Sequence, residues 1–470
     1  MQVTSMHFKA NARIKLKDST LRNAMLKAKG NFVDSRADAM LELNNLEEIR
    51  EAGKRIRDRS LEHLDAWLLH FEREATARGA VIHWAQSGEE VNQIVREIAR
   101  RHGVKKVAKS KSMVSEECAL NPALEAAGIE VVETDLGEYI LQLAGEPPSH
   151  IIAPAMHKSL DQISDLFASA HQTKRKTDIP ALTREAREVL RPHFFSADMG
   201  ISGGNFLIAE SGSVAIVTNE GNGRMVTTLP KVHVAITGVE KVVPTLEDFS
   251  TLLRLLTRSA TGQSISNYVS LTTGVKASGD TDGPEHFHII LVDSGRTSLL
   301  GTELQSALRC IRCGACMNHC PVYQNIGGHA YGWVYPGPIG SVLTPAYVGL
   351  ENALDLPQAS TLCNECGVVC PVKIPLPDLM RVLREREFEG NMRPWQERLA
   401  LKAWGLAARH PRVYALLARA GAKFLRLIAG REKLLHKLPG LDGWTAGRDM
   451  PAPQGETFRA AYKKQRGVDH

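Results

Sequence analysis

Apolar residues recur at helical spacing through residues 1–75, and no proline interrupts them. The pattern then changes to short strand-like runs that alternate with helical segments, the first of which has Ser87 as its expected N-cap. The predicted strands cover residues 81–84, 104–108, 129–134, 205–210, 213–218, 233–237 and 286–292, and further helices are predicted at 121–127 and 246–259. This alternation predicts a parallel sheet covered by helices, so the fold class is α/β.

These patterns divide the chain into four parts. They are an N-terminal helical region (1–75), an α/β domain (76–296), a cysteine-rich domain (297–390) and a basic helical region with a polar tail (391–470). A polar stretch is expected around residues 171–183. The middle of the cysteine-rich part, residues 327–349, is dense in glycine, proline and aromatic residues, which predicts an ordered, tightly turning loop.

The composition of the 470 residues, 43% hydrophobic and 23% charged, is that of a soluble globular protein. No apolar run reaches the roughly 18 residues that a membrane span needs. The N-terminus has no apolar core of the kind found in secretory signals. These features predict a cytoplasmic protein, in which the eight cysteines act as ligands or free thiols rather than forming disulfides.

The positive charge is concentrated in one region. Residues 391–440 contain eleven Lys and Arg against two Glu, a surplus of +9, whereas the whole chain carries +6. The cationic residues alternate with Leu, Ala, Trp, Phe and Tyr at helical spacing, which permits a positive face beside an apolar one. We expect this region to dock on an acidic partner subunit or on an anionic membrane surface. The alternative is a helical cap whose charges are simply solvated.

The strongest chemical signal is the run Cys310-Ile-Arg-Cys313-Gly-Ala-Cys316-Met-Asn-His-Cys320-Pro. Its x2, x2 and x3 spacing with a closing proline is that of bacterial ferredoxins, in which the first three cysteines bind one 4Fe–4S cluster and the fourth binds another. A zinc site would instead use CxxC pairs. The run therefore predicts iron–sulfur chemistry.

A second run, Ser360-Thr-Leu-Cys363-Asn-Glu-Cys366-Gly-Val-Val-Cys370-Pro, has the same spacing with serine in the first position. Exchange of the fourth ligands predicts two 4Fe–4S clusters, one bound by Cys310, Cys313, Cys316 and Cys370 and the other by Cys320, Cys363 and Cys366. Ser360, water or a side chain from elsewhere could complete the second cluster. A 3Fe–4S cluster is an alternative. Cys118 stands outside both runs and is expected to be a packing residue rather than a reactive thiol.

The two runs continue as PVYQNIGGHAYGWVYPGPIG and PVKIPLPDL. Together with KSKSMVSEE, ETDLGEYILQLAGEPPSHIIAPAMHK, GISGGNFLIAESGSVAIVTNEGNGRM and DGPEHFHIILVDSGRT, they resemble the bacterial lactate utilisation protein B family. The resemblance extends from about residue 20 through the basic C-terminal helices. It implies that residues 76–296 form a LUD domain, a Rossmann-like parallel-sheet fold of the sugar-isomerase and CoA-transferase type, joined to an α-helical two-cluster ferredoxin-like domain.

The resemblance also implies a function. It implies electron transfer during oxidation of L-lactate to pyruvate, which allows growth on lactate. The implied partners are a second iron–sulfur protein with CCG repeats and a small subunit with its own LUD domain. Separately from the resemblance, we expect a quinone as a candidate acceptor, and a peripheral position at the inner face of the membrane is the alternative to a free cytoplasmic one.

Open parallel sheets bind ligands beyond the carboxyl ends of their strands. The residues predicted there are Lys109, Lys111, Ser112, Asp135, Gly137, Gly203, Gly204, Asn205, Glu210 and Gly212. The two lysines could hold a carboxylate or a phosphate, and Glu116, Glu210 and Glu220 are candidate acids or bases. Ordinary turns at strand ends are the alternative. His150, His157, His286 and His288 are weaker candidates for metal binding, and surface or satisfied core positions are expected for them.

The preferred interpretation is a redox subunit that relays electrons singly between its clusters. GISGG and GNGR do not stand in the strand–GxGxxG–helix context that a flavin site needs, so the chain is not expected to oxidise lactate unaided. One alternative is an enzyme whose LUD pocket binds a small acid or phosphate and is coupled to the clusters. Another is a scaffold that positions its partners.

Overall fold

The computed structural model describes residues 3–438, 445 and 448–466. The chain divides into two compact units, Met1–Glu387 and Phe388–His470. Parts of the expected polar tail, at residues 439–444, 446–447 and 467–470, lie outside the described residues.

The first unit is built on a sheet of six parallel strands. The strands of this unit are β1 Ala80–Ala85, β2 Lys106–Lys109, β3 Glu130–Glu133, β4 Met199–Gly203, β5 Phe206–Ile208, β6 Ser213–Thr218, β7 Val232–Gly238, β8 Val242–Val243, β9 Tyr268–Thr272 and β10 His286–Val292. The order in the sheet is β1-β10-β7-β4-β2-β3, with every neighbouring pair parallel. All of β7 and most of β10 are buried, as expected for strands covered on both faces. The predicted α/β class is confirmed.

The sheets differ from the sequence prediction in several features. The predicted strands β5 and β6 pair with each other antiparallel in a second sheet, ordered β8-β5-β6-β9. The prediction also missed β4, which lies near the centre of the main sheet and contains two glycines that weaken a strand signal. Gly200 is required in β4, because a Cβ there would lie 1.9 Å from the carbonyl oxygen of Val226.

Helices and the second sheet cover the main sheet, and eight helices lie between residues 88 and 261. They are α6 Gly88–Arg101, α7 Met113–Glu117, α8 Leu120–Glu125, α9 Leu136–Ala144, α10 Leu160–His171, α11 Ile179–Ser196, α12 Asn222–Thr228 and α13 Leu246–Thr261. The predicted N-cap is confirmed, since the Ser87 side chain accepts a hydrogen bond from the Glu90 N–H. Helix α11 begins within the polar stretch expected around residues 171–183, with Asp178 as its N-cap.

Residues 5–77 are mainly helical, which confirms the helical region predicted for 1–75 as far as the structure describes it, and they brace the second cysteine run. Their helices are α1 Phe8–Lys15, α2 Ser19–Lys29, α3 Ser35–Leu41, α4 Leu46–Glu62 and α5 Leu64–Ala77. Arg36 Nη2 donates to the carbonyl oxygen of Val369 at 2.8 Å, and Arg50 Nη2 donates to that of Cys370 at 2.8 Å. These bonds satisfy buried carbonyl groups that a loop cannot pair within itself.

Short helices carry the cysteine-rich part of the chain. They are α14 Ala315–Asn318, α15 Pro321–Ile326, α16 Gly337–Val348, α17 Glu365–Val368 and α18 Leu376–Glu389. The loop predicted for residues 327–349 was wrong in its second half, where α16 forms with Pro338 in its first turn. Proline is well tolerated in a first turn because the N–H of that position has no partner in the helix.

The second unit contains the basic helices α19 Trp395–Arg409, α20 Pro411–Ile428 and α21 Phe458–Arg466. Strand β11 Leu434–Leu435 pairs antiparallel with β12 Met450–Pro451. Neither α19 nor α20 has a buried residue, although both are rich in Leu, Trp, Tyr and Phe. No helix among the described residues is long and apolar enough to cross a membrane.

A buried ionic cluster joins the carboxyl end of β7 to the cysteine-rich part of the chain. Glu240 Oε2 lies 2.9 Å from Arg296 Nε, and its Oε1 lies 3.4 Å from Arg312 Nη2. Arg296 also holds Glu117 through two hydrogen bonds of 2.9 and 2.7 Å. Burial by itself would raise the pKa of Glu240, but the charges of Arg296, Lys241 and Arg312 hold it at about 2. The carboxylate therefore stays ionised in a dry site.

We expect Glu240→Gln to lower the free energy of unfolding by about 3–5 kcal/mol, because the buried cations lose their counter-charge. Since the folded pKa is depressed, this stabilisation is complete above the unfolded pKa of about 4.3 and is lost as the pH falls toward about 2. Anaerobic urea unfolding at neutral pH measures the loss. The difference in unfolding free energy between the Glu240→Gln variant and the wild type should become smaller as the pH is lowered through about 4.

The matched control is Glu285→Gln, which changes a half-exposed glutamate paired with Lys231 at 3.8 Å. It should change stability by less than about 0.5 kcal/mol. Equal stability of the Glu240→Gln variant and the wild type at neutral pH would contradict the prediction.

Candidate iron–sulfur site and adjoining cavity

The first set of thiols lies around one apolar cavity. Cys310, Cys313, Cys316 and Cys370 all line it, together with Ile151, Ile339 and Leu376. Burial raises the pKa of Cys313 to about 12, and the neighbouring thiols of Cys370 and Cys310 contribute to the rise. In such a site the thiols become thiolates only when positive charge is bound among them, and iron supplies that charge.

The second set of thiols reaches the protein surface. Burial raises the pKa of Cys366 to about 12, and the adjacent Cys320 and Cys363 thiols add to the effect, so the three lie close together. Cys320 and Cys366 are buried, but Cys363 is exposed. One end of this set is therefore accessible to a docking partner.

The two cysteine runs follow the same backbone path. In the first run Arg312 and Gly314 have positive φ angles of 60° and 75°. At the equivalent positions of the second run, Leu362 and Asn364 have φ angles of 55° and 70°. A short helix follows in each case, α14 or α17, with Gly314 or Asn364 as its N-cap. The two loops are thus structural copies of each other.

The equivalence of the two loops shows which position of the first loop corresponds to Ser360. The N–H of Arg312 donates to Cys310 Sγ at 3.4 Å, and the N–H of Leu362 donates to Ser360 Oγ at 3.0 Å. The Ser360 oxygen therefore occupies, in the second loop, the position that the Cys310 sulfur occupies in the first.

A buried tyrosine lies beside both sets. The Tyr331 hydroxyl is fully buried and has no hydrogen-bond partner among the described residues. Burial raises its pKa well above the ordinary value, and Cys320, Cys316 and Cys366 lie close enough to raise it further. A buried hydroxyl without a protein partner requires an acceptor from another source. A cluster sulfide or thiolate would meet that need, so the surroundings fit an iron–sulfur group.

The thiol arrangement is also compatible with a cubane cluster. No three Cys, His, Asp or Glu side chains within the described ranges converge closely enough to bind one ion. A cubane does not require this convergence, because each thiolate binds a different iron atom.

A separate cavity of about 530 Å³ lies at the carboxyl ends of the central strands. Its lining includes Lys111 and Ser112 after β2, Asp135 and Gly137 after β3, Gly203, Gly204 and Asn205 after β4, and Glu220. Burial and the nearby Asp135 raise the pKa of Glu220 to about 7. Most of the residues predicted at the strand ends therefore lie together around one cavity.

Other predicted residues serve the fold instead. The Lys109 ammonium lies 2.9 Å from Glu116 Oε1 and also pairs with Glu133, so it is not free to bind a ligand. Glu210 accepts a hydrogen bond of 3.1 Å from the Leu246 N–H and so caps α13. Gly212, with a φ of +63°, packs against α5. The expectation of a ligand role for Lys109 and Glu210 is not supported by these contacts.

The histidines and Cys118 have structural partners. His288 Nδ1 lies 3.0 Å from His83 Nε2, and the His286 ring packs against His102 with 4.3 Å between centroids. His150 Nε2 lies 2.9 Å from Asn318 Oδ1, and His157 Nε2 lies 2.9 Å from Glu146 Oε2. Cys118 is packed in the hydrophobic core beside the main sheet.

Among the polar residues of the large cavity that sequence reasoning missed are Lys241, Arg312 and Asn222. Lys241 Nζ donates to the carbonyl oxygen of Cys310 at 2.9 Å. Burial, followed by the charge of Arg312, lowers the pKa of Lys241 to about 7. The sequence feature that could have indicated this part of the cavity is Arg312, a charged residue between two cysteines of the first run.

Three family models match the chain. Residues 68–292 match the LUD domain, residues 306–374 a 4Fe-4S dicluster domain, and residues 380–467 the C-terminal domain of lactate utilisation protein B. The chain is therefore an iron–sulfur protein with a LUD domain.

Relatives match over almost their whole length. Proteins named "Lactate utilization protein B" are 46% identical in Shouchella clausii, with 98% of each chain covered, and 44% identical in a Geobacillus species, with 99% of this chain and 98% of the relative covered. A solved DUF162 family protein from Deinococcus radiodurans is 13% identical and covers 49% of this chain and 98% of its own, with a TM-score of 0.29, too low to support an argument. On the strength of the full-length matches, the chain belongs to the lactate utilisation protein B family.

Proposed function

We propose that this protein is an electron-transfer subunit in the oxidation of L-lactate to pyruvate, and that it thereby allows growth on lactate. The observation that carries the proposal is the pair of neighbouring thiol sets, with Tyr331 beside members of both. When bound there, two 4Fe–4S clusters would each supply a one-electron redox step. The lactate part rests on relatives named for lactate utilisation.

We assign one cluster to Cys310, Cys313, Cys316 and Cys370. The other is assigned to Cys320, Cys363 and Cys366, with Ser360 in the fourth position. Support for this division comes from the cavity shared by the first four thiols and from the proximity of the other three. The exposed Cys363 marks the end at which a redox partner would exchange electrons.

The proposed partners are a second iron–sulfur protein with CCG repeats and a small LUD-domain subunit, with a quinone-linked acceptor. The lactate-oxidising step itself is assigned to a partner, because the sequence contains no dinucleotide-binding context.

The function is tested by adding L-lactate to the anaerobically purified partner complex and recording EPR and Mössbauer spectra. We expect two reduced cluster signals with the wild type. Cys370→Ala should remove the signal of the first cluster and Cys320→Ala that of the second, because each thiol completes a different set. Cys118→Ala is the control, and it should keep both signals because Cys118 lies in the core beside the sheet.

Clusters that dithionite reduces but lactate does not reduce, even with all partners present, would contradict the proposed function. Loss of the first cluster in Cys320→Ala, with the second retained, would contradict the ligand assignment.

We expect the second cluster to be the more sensitive to air, because a serine oxygen is a harder and weaker ligand for iron than a thiolate. Brief oxidation should convert it to a 3Fe–4S species, detected by EPR, while the first cluster persists. Ser360→Cys should slow this conversion, since a sulfur in that position repeats the arrangement around Cys310. Thr361→Cys, which places a thiol one residue away, is the matched control. Equal loss rates in all three proteins would contradict the assignment of Ser360.

The helices α19 and α20 are proposed to dock on an anionic membrane surface. Among their exposed side chains are Trp395, Trp404, Leu416 and Phe424. Cationic side chains alternate with these residues, and helices that combine Trp, Phe and Leu with Lys and Arg bind at lipid interfaces. This location would place the electron-transfer subunit close to a quinone.

The triple variant Arg412→Gln/Arg419→Gln/Lys423→Gln should weaken sedimentation with phosphatidylserine-containing vesicles by more than about a hundredfold. Each cation near an anionic surface contributes about 1 kcal/mol, and about 1.4 kcal/mol is a factor of ten. The control, Lys174→Gln/Arg184→Gln/Arg187→Gln, removes three exposed cations from another region and should bind as the wild type does. Vesicle binding that is unaffected by the α20 substitutions would contradict membrane docking. Membrane docking would also be contradicted if the triple variant bound vesicles normally and lost only its co-purification with partner subunits.

A further inference from the structure

The large cavity at the strand ends and the cavity of the first thiol set share a wall. Ile151, Ile311 and Arg312 line both of them. Arg312 lies between Cys310 and Cys313 in the chain, and it lines the larger cavity as well as the cavity of the first thiol set. A molecule in that cavity would therefore be separated from the first thiol set by a single layer of residues.

The Arg312 side chain has a donor nitrogen that is not hydrogen-bonded to any described residue. Its guanidinium lies over the Tyr335 ring at 4.4 Å, and its Nη2 lies 3.4 Å from Glu240 Oε1. Its Nη1 is buried and has no hydrogen-bond partner among the described residues. A buried guanidinium nitrogen without a partner is costly, and a carboxylate or phosphate oxygen is its best acceptor.

The other charged groups of the cavity are consistent with an anionic ligand. Lys111 adds positive charge to the lining, and its ammonium donates to the carbonyl oxygen of Ile152 at 2.6 Å. Asp135 Oδ1 accepts hydrogen bonds from the N–H groups at the start of α9, and Glu220 Oε2 accepts one from the Leu136 N–H. The two acids are thus engaged by backbone donors, whereas the Arg312 nitrogen still lacks an acceptor.

The other residues that line the cavity indicate the chemistry of the part of the ligand beyond its anionic group. Asn222 is buried, and its Oδ1 has no hydrogen-bond donor among the described residues, so it offers an acceptor to a hydroxyl or amino group. Ile140, Ile216 and Leu256 supply apolar surface. The volume of about 530 Å³ lies in the range of pockets that enclose whole organic molecules.

We propose that this cavity binds an organic anion through a carboxylate or phosphate group at Arg312, and that its occupancy is linked to the oxidation state of the neighbouring cluster. This linkage rests on the proposed redox role of the first thiol set. A bound negative charge disfavours addition of an electron nearby, so the anion lowers the midpoint potential of that cluster. By thermodynamic reciprocity, reduction of the cluster weakens anion binding by the same factor.

The test uses the full-length, cluster-loaded protein and three probes, namely inorganic phosphate, butyrate and adenosine monophosphate. Calorimetric titration of the oxidised and the dithionite-reduced protein measures affinity in each state. We expect at least one probe to bind about tenfold more tightly to the oxidised form. The same probe should then lower the midpoint potential of one cluster by about 59 mV, the equivalent of a tenfold change for one electron. The probe that binds distinguishes carboxylate from phosphate ligands.

Two variants locate the site. Arg312→Gln should abolish binding, but it lies inside the cysteine loop and also risks the cluster. Asn222→Asp lies outside that loop, and its added negative charge should weaken binding at least tenfold while both cluster spectra stay unchanged. Lys231→Gln, which removes an exposed lysine just before β7, at the opposite end of the strand from the cavity, should bind each probe as the wild type does.

Failure of all three probes to bind, or unchanged affinity in Asn222→Asp, would overturn the proposal even if lactate still reduced both clusters. Equal affinities for the two oxidation states would overturn the linkage. Binding of a probe to protein whose clusters cannot be reduced by lactate and the partners would refute the proposed function while leaving the anion site standing.

Discussion

Glu240 lies just beyond the carboxyl end of β7, where water cannot reach its carboxylate and the guanidinium groups of Arg296 and Arg312 face it. A charge in such a place is tolerated only when it is paired, and here one carboxylate is paired with several cations. Arg57 of α4 donates to the carbonyl oxygens of Val242 and Leu308 at 2.9 and 3.0 Å in the same region. The N-terminal helices, the sheet and the cysteine loops are therefore held together at one buried point.

That junction has a direct consequence for the site. The same Arg312 that pairs with Glu240 lies within the first cysteine loop and reaches the cavity of the α/β domain. Its side chain is held by Glu240 on one side and by the Tyr335 ring on another. A change of charge in the cavity or in the thiol set acts on the Arg312 guanidinium, which cannot move away because protein interiors are close-packed.

The two cysteine loops share a backbone path but differ in their surroundings. The thiols of Cys313 and Cys370 lie in an apolar pocket, where burial keeps water away. Cys363 is exposed, and Ser360 takes the place of a fourth thiol near it. Because burial, hydrogen bonds and ligand type set the potential of an iron–sulfur cluster, equivalent loops in unequal surroundings would give two clusters of different potential.

The sequence by itself predicted iron–sulfur chemistry and a parallel α/β sheet, because both depend on local patterns. Cysteine spacing is a property of one loop, and the strands β1, β6 and β10 follow from their apolar residues. The α16 helix and β4 were missed, since glycine and proline hide elements that only tertiary packing stabilises. Only the tertiary structure decided that Lys109 forms ion pairs with Glu116 and Glu133. It also decided that Arg312 Nη1 has no hydrogen-bond acceptor among the described residues. The physical reason is that a side chain's partners come from elements distant in the chain, and no local pattern records which elements will meet.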